Sequence, residues 1–416
     1  MTKRFLALDL GSTTLAGALL TPQGEVAAQA FLPNPQVREG KDVMTRLQAA
    51  VAGRGEELRR LLAAGVNELT ARLLERTGMA PETIVAAAAA GNPVVAALLA
   101  AREVKSLLFP PHRLSWRAGE ELDSRGLGLD LSVPFYLFPL VGGFVGGDLV
   151  AFLYGAEKGP APALYVDIGT NAEIALDTGD RWWVTSAAAG PAFEGGHISS
   201  GMAAVTGAIE GVSLVGDRLH PRVIGGGPAR GLCGSGLIEA IAAGLAGGLI
   251  DPQGVLRSAA QIPDNLSRYS IERDKERCLL LYRDADGEVL LTQADIRQFQ
   301  LAKGAVRAGI EALLERAGLS AGELHRVLVS GAFGLAIARE TLKKVAMLPG
   351  RVVDRIVFVP HGVLNGVGRF LTRKGGKEEV ARLAASLNLY PLSGSPVFER
   401  AFLQALDFVS PGIERR

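Results

Sequence analysis

Residues 163–176 read Ala-Leu-Tyr-Val-Asp-Ile-Gly-Thr-Asn-Ala-Glu-Ile-Ala-Leu, setting a carboxylate, a glycine, a hydroxyl and an amide in close succession. That set suits a phosphate and its metal ion. Gly169 lets backbone approach a ligand, Thr170, Asn171 and the turn N–H groups can bond phosphate oxygens, and Asp167 can hold Mg2+ directly or through water. The arrangement recurs at residues 6–20, Leu-Ala-Leu-Asp-Leu-Gly-Ser-Thr-Thr-Leu-Ala-Gly-Ala-Leu-Leu, with Asp9, Gly11, Ser12, Thr13 and Thr14 in the matching places. One Asp-x-Gly-Ser/Thr turn is an ordinary hairpin. Two, one opening each half of the chain, point to similar lobes holding a nucleotide phosphate chain between two hairpins.

The elements that must position these residues are legible from periodicity. Residues 4–31 read as a three-stranded meander with turns at the Asp-x-Gly and Pro-Gln-Gly positions, as in a ribonuclease-H-like lobe. Over 42–77, leucines and valines at three- and four-residue steps predict helix. Thr83–Ala90 reads as a buried strand ending at Gly91-Asn92-Pro93, and Val94–Ala101 as a helix. Residues 110–134 are loop-rich, and 135–155 form one glycine-rich connector. In the second half, strands are expected after residue 163, over 181–186, 327–330, 356–359 and 389–392. Helices are expected over 237–245, 294–317, 377–387 and 396–406, with Thr292 and Asp295 opening the second of these.

The 416 residues are 48% hydrophobic and carry a net charge of +1, which gives no electrostatic case for a nucleic-acid or anionic-membrane partner. Cys233 and Cys278 are too few for a disulfide framework or for an iron–sulfur cluster, which usually takes about four thiolates. A reducing cytoplasm is the expected compartment. No signal peptide is expected, because Asp9 interrupts the first apolar run. The span 135–156 is long enough to cross a bilayer, but glycine pairs and Pro139 favour a buried connector.

No Gly-x-x-x-x-Gly-Lys-Ser/Thr loop, zinc spacing or Gly-x-Ser-x-Gly elbow occurs. Residues 231–236, containing Cys-Gly-Ser-Gly, read as the turn that starts a helix, with free N–H groups for a ligand or with glycines for packing alone. Glu194 and His197 form either an acid–base pair or a structural loop contact. Asp148 is a single carboxylate in an apolar stretch and is the candidate catalytic residue.

With the hairpins in place, the chain resembles the superfamily of actin, the sugar and acetate kinases and the heat-shock ATPases. Residues 140–155 look like its first connector, 327–336 like its adenosine turn and 362–370 like its second connector. The implied fold is α/β: two ribonuclease-H-like lobes of the actin-like ATPase fold with a nucleotide cleft between them, at 1–158 and 159–416. The second lobe ends in a helix-strand-helix extension. Gly331, Ala332, Phe333 and Gly334 would pack against adenosine, and Asp9 and Asp167 would position Mg2+. The stretch 186–202, Ser-Ala-Ala-Ala-Gly-Pro-Ala-Phe-Glu-Gly-Gly-His-Ile-Ser-Ser-Gly-Met, resembles more narrowly the reductive activators of corrinoid proteins. So do Asn34-Pro35-Gln36, 142–148, 167–171, 233–236, the 295–303 helix face and 331–334. That resemblance implies ATP-dependent return of Co(II) corrinoid to Co(I), a corrinoid protein as partner, and a homodimer. With two cysteines, it also implies a separate iron–sulfur electron donor. A small-molecule kinase and a nucleotide-gated scaffold without turnover are the alternatives on the same fold. Pro360-His-Gly-Val-Leu-Asn-Gly-Val367 departs from the family's usual Gly-Asn-Ala-Ala second connector.

Overall fold

In the computed structural model, which describes residues 3–110, 112–262, 265–331 and 337–409, the meander forms as β1 (Arg4–Leu10), β2 (Thr14–Leu20) and β3 (Val26–Pro33). The helical stretch after it is broken. Helix α1 (Val43–Ala49) and α2 (Gly55–Thr77) are separated at Gly53, whose φ of 97° no continuous helix accepts. Then follow β4 (Ile84–Gly91), α3 (Pro93–Leu99), β5 (Glu120–Leu122), β6 (Phe135–Leu137) and α4 (Gly147–Gly155). The expected 135–155 connector is thus a strand, a glycine loop and a nine-residue helix, because Gly142 and Gly143 take φ of 148° and 54°. Among the described residues no helix is long and apolar enough to cross a membrane.

The second half opens with β7 (Ala163–Ile168), β8 (Ala172–Asp177) and β9 (Trp182–Ala187). It continues through β10 (Ala208–Val215), β11 (Arg218–Val223), β12 (Gly231–Leu232) and α5 (Gly234–Ala246). Next come β13 (Ser270–Arg273), β14 (Glu276–Arg283), β15 (Glu288–Thr292) and α6 (Gln293–Ala317). The last elements are β16 (Arg326–Gly331), α7 (Arg339–Lys344), β17 (Ile356–Phe358), α8 (Gly362–Thr372), α9 (Gly376–Ser386), β18 (Leu387–Leu389) and α10 (Pro396–Gln404). Strands β10 to β15 were not expected from periodicity; they build two three-stranded sheets, β11-β10-β12 and β13-β14-β15.

The chain divides into two compact units. The first comprises Met1–Gly159, Asp177–Thr185 and His361–Pro391; the second comprises Pro160–Leu176, Ser186–Pro360 and Leu392–Arg416. In the first unit a sheet runs β3-β2-β1-β4-β6-β5, with β1, β4 and β6 parallel. Leu62, Val66, Leu69 and Leu73 of α2 are buried with Leu8, Leu15 and Leu19 of the sheet, so the helical period and the strand alternation meet in one core. Strand β18 pairs parallel with β9 in the same unit.

In that unit α4 and α8 touch through glycine. A Cβ on Gly366 would lie 1.8 Å from the Ala151 carbonyl oxygen, and one on Gly155 would lie 2.7 Å from the Gly366 Cα. The Tyr154 hydroxyl donates to Glu379 Oε2 at 2.7 Å and ties α4 to α9. Burial, and then Glu379, push that phenol up to about 12.

In the second unit β17-β16-β7-β8 lie side by side in that order, with β16 parallel to both β17 and β7. Helix α6 starts at a reciprocal cap. The Thr292 hydroxyl accepts from the Asp295 N–H, and Asp295 accepts from the Thr292 N–H. The other Asp295 oxygen accepts from the Ser199 N–H and hydroxyl at 2.7 and 3.0 Å, which ties down the 195–201 loop.

Candidate functional site

The first hairpin turn sits where the parallel strands end. Leu10 of β1 is level with Gly91 of β4, and Asp9 stands across from Ala16 of β2 and Ala90 of β4. The carboxyl ends of parallel strands are where α/β sheets present ligand sites. Gly11 admits no side chain, since a Cβ there would lie 2.5 Å from the Thr14 carbonyl oxygen. Ser12 and Thr13 are partly buried and Thr14 is exposed.

Two asparagines shape this turn, and neither was given a role from sequence. Asn34, 1% exposed, donates its amide to the Gly11 carbonyl at 2.9 Å, and its backbone N–H donates to the Thr13 carbonyl at 2.8 Å. Asn92, 5% exposed, donates its amide to Ser12 Oγ at 3.0 Å, while its Oδ1 accepts from the Val94 and Val95 N–H groups, both at 3.1 Å. Both stand in Asn-Pro pairs, the signature of a cap followed by proline in the first helical turn. That pattern was the available signal.

Asp148 lies in the first turn of α4, partly buried, where the helix dipole favours a carboxylate; its Oδ1 accepts from the Leu149 N–H at 2.8 Å. Gly146 brings this helix start down on β4: a Cβ there would lie 2.4 Å from the Gly91 carbonyl oxygen and 2.7 Å from the Asn92 Cα. Asp148 therefore starts its helix beside the asparagine that holds Ser12.

The second hairpin turn is built by the second unit. The Gly169 N–H donates to the Asn171 carbonyl at 3.0 Å, and the Gly190 N–H donates to the Thr170 carbonyl at 2.8 Å. Asp167 pairs with Ser330 in the β7–β16 register. Burial pushes the Asp167 carboxyl up to about 6, and a hydrogen bond from Ser330 pulls the other way. Gly331 has φ of 104°, and a Cβ there would lie 2.1 Å from the Ile168 carbonyl oxygen, so glycine alone lets β16 end against this turn. The remaining adenosine-turn candidates, Ala332, Phe333 and Gly334, lie outside the described residues.

Thr170, 6% exposed, donates its hydroxyl to Glu194 Oε2 at 3.1 Å. His197 is exposed in a left-handed conformation (φ 58°). The Glu194 carboxylate thus serves the second turn, which departs from the acid–base pair considered from sequence. The Cys-Gly-Ser-Gly turn resolves towards packing. A Cβ on Gly234 would lie 1.7 Å from the Phe193 carbonyl oxygen, and one on Gly236 would lie 2.0 Å from that of Ile209.

The donor set fits a magnesium nucleotide. Among the described residues no three His, Cys, Asp or Glu side chains gather as a metal centre. Mg2+ commonly takes one or two carboxylates together with phosphates and water, so a dense cluster is not required. A carboxyl held as high as about 6 by burial is a group that a nearby cation stabilises.

Residues 161–415 match the family described as the C-terminal domain of RACo, the ASKHA domain, and residues 5–157 match the RACo middle region. The chain belongs to the RACo family. It carries the actin-like ATPase (ASKHA) fold with mixed α/β sheets. The chain is 30% identical over 382 residues to the corrinoid activation enzyme RamQ of Eubacterium limosum, covering 87% of this chain and 62% of RamQ. It is 25% identical over 449 residues to a [Co(II) methylated amine-specific corrinoid protein] reductase of Methanosarcina barkeri, covering 98% of this chain and 77% of that one. Among solved structures it is similar to a reductive activator for corrinoid, iron-sulfur protein, with a TM-score of 0.89 and 27% identity over 98% of this chain and 66% of the other. The chain thus spans less than two thirds of the length of RamQ and of the solved activator.

Proposed function

We propose that this chain is an ATP-dependent activator of a corrinoid protein, coupling nucleotide binding or hydrolysis to reduction of Co(II) to Co(I). The observation that supports it most is the pair of Asp-x-Gly-Ser/Thr turns, each braced by its own polar side chains, in a member of the RACo family.

In this reading Asp9 and Asp167 position Mg2+. Gly11, Ser12, Thr13 and Thr14 of the first turn, and Gly169, Thr170 and Asn171 of the second, are phosphate-binding groups together with the turn N–H groups. Gly331, with Ala332, Phe333 and Gly334, borders the adenosine. Mg2+, when bound, neutralises phosphate charge. Asp148 orients the attacking water.

Cobalt reduction at very low potential needs a favourable process coupled to it. If the nucleotide-bound and nucleotide-free forms bind the corrinoid protein with different affinity, that difference shifts the cobalt's coordination and its potential. The electron comes from a separate iron–sulfur group, since Cys233 and Cys278 are too few to ligate one here. The setting is the cytoplasm and the assembly a homodimer, with no nucleic acid and no membrane as partner.

The test is calorimetric titration of Mg-ATP into the protein and into Asp167→Ala. An absorbance assay then follows Co(I) formation on a Co(II) corrinoid protein with a low-potential donor. Binding lost in the variant, and Co(I) that appears only with ATP, support the reading. Absence of nucleotide binding by the wild type under every metal condition sinks it.

A further inference from the structure

Helix α6 carries two buried cations one turn apart. Lys303 is 0% exposed and Arg307 6%. Lys303 Nζ donates to the Asp407 carbonyl and lies 4.8 Å from the centre of the Phe408 ring. Burial, and then Arg307, bring the Lys303 ammonium down to about 7, with Asp407 acting the other way. Arg307 donates Nε to Glu311 Oε1 at 2.7 Å, but its Nη1 is buried and has no hydrogen-bond partner. A donor taken out of water with no acceptor is a cost that a native fold rarely leaves standing. The nearby carboxylates do not meet it. The Glu311 and Glu315 side chains are 38% and 56% exposed, the second is paired with Arg400 at 3.1 Å, and Asp407 is exposed.

Arg307 is part of the wall of a cavity of about 450 Å3. Leu314 of α6 and Leu319 beyond it line one side, Val397 and Ala401 of α10 another, and Ala346 contributes a third. All of these residues belong to the second unit, and none is a residue of the Asp-x-Gly turns. The volume is that of a small-molecule site, and its make-up is the usual one for such a site: apolar walls with few polar groups. The planar guanidinium matches a carboxylate in shape and charge. A phosphate suits the cavity less well. It would bring more negative charge beside Glu311, Glu315 and Asp407, and it has no apolar part for the leucines and Val397 to cover.

We propose that this cavity binds a small organic acid, with the carboxylate taken by the Arg307 guanidinium and the apolar body lodged among Leu314, Leu319, Val397 and Ala401. The ligand supplies the acceptor that Arg307 lacks in the free protein. The site is separate from the nucleotide reading and stands or falls without it.

The experiment titrates hexanoate, its neutral isostere hexanamide, and inorganic phosphate into the full chain. Methyl resonances of Leu314, Leu319 and Val397 are followed by NMR. Hexanoate is expected to shift these methyls saturably, with a Kd of about 1 mM or tighter. Hexanamide is expected to bind about tenfold more weakly, since it forfeits the charge-assisted bond. Arg307→Met, which keeps the apolar stem, should weaken hexanoate about tenfold and bring its affinity down to that of hexanamide. Ala401→Phe fills the cavity without touching a charge and should weaken both ligands, with circular dichroism confirming that each variant is folded. Equal affinity for hexanoate and hexanamide overturns the proposal, as does hexanoate binding that Arg307→Met leaves unchanged. Phosphate that moves the same methyls as strongly as hexanoate overturns the organic-acid assignment, and the absence of any saturable shift overturns the site.

Discussion

Replacing Asp167 by asparagine is expected to make the metal-free protein more stable at neutral pH while abolishing its hold on Mg-nucleotide. The carboxyl rises from its ordinary 3.8 to about 6 because it is buried beside one hydroxyl, Ser330, and desolvation outweighs that bond. A rise of roughly two pH units corresponds to about 3 kcal/mol, an upper figure for a partly buried group. Because the folded state prefers the protonated form, the contribution is fully present below 3.8 and is lost as pH climbs through about 6. Above that, the folded state carries an ionised carboxylate that it solvates poorly. Asparagine has the same shape, can accept from Ser330 and does not titrate. The stability difference between Asp167→Asn and wild type should therefore be near zero around pH 4 and grow to about 2–3 kcal/mol by pH 7.5. Urea unfolding in EDTA, followed by circular dichroism across that range, measures it, and hydrogen exchange of residues 163–176 localises it. Saturating Mg-ADP should reverse the order, since only the wild type gains stability by binding. A difference that does not change with pH, or a variant less stable than wild type at pH 7.5 in EDTA, refutes the reasoning.

Gly366→Ala should cost about 3 kcal/mol or more in urea unfolding, because its Cβ would meet the Ala151 carbonyl oxygen at 1.8 Å and drive α4 from α8. A loss under about 1 kcal/mol would mean that the two helices do not depend on this contact. Gly331→Ala combines a φ of 104° with a Cβ 2.1 Å from the Ile168 carbonyl oxygen; it should lower both the thermal midpoint and nucleotide affinity, read by differential scanning fluorimetry with and without ATP. Asn34→Ala removes the amide donor to the Gly11 carbonyl from a site 1% exposed; it should cost about 1–3 kcal/mol and raise proteolytic cleavage at residues 11–14. Tyr154→Phe, which deletes only the hydroxyl donated to Glu379, should cost about 1–2 kcal/mol, and that cost should fade as pH drops low enough to protonate Glu379, a carboxyl that Tyr154 and then the nearby arginines hold below its ordinary value.

Local chemistry made much of this protein readable without coordinates. The β1–β2–β3 meander follows from apolar alternation cut by glycine turns, and the start of α6 follows from Thr292 and Asp295, because these signals act over a few residues. The two turns bearing Asp9 and Asp167 were visible for the same reason. The break at Gly53 was not, since glycine is tolerated in many helices and only its φ of 97° decides the matter. Nor were β10 to β15, short strands whose identity depends on the neighbours they pair with.

The tertiary structure alone decided how the turn residues are held. Asn34 reaches Gly11 across 23 positions and Asn92 reaches Ser12 across 80, while Glu194 reaches Thr170 across 24. Sequence determined which residue types stand at the turns and that each turn ends a strand. A hydroxyl carries no mark of whether it donates or accepts. Its direction is set by the partner that folding brings to it, an amide nitrogen at Ser12 and a carboxylate at Thr170.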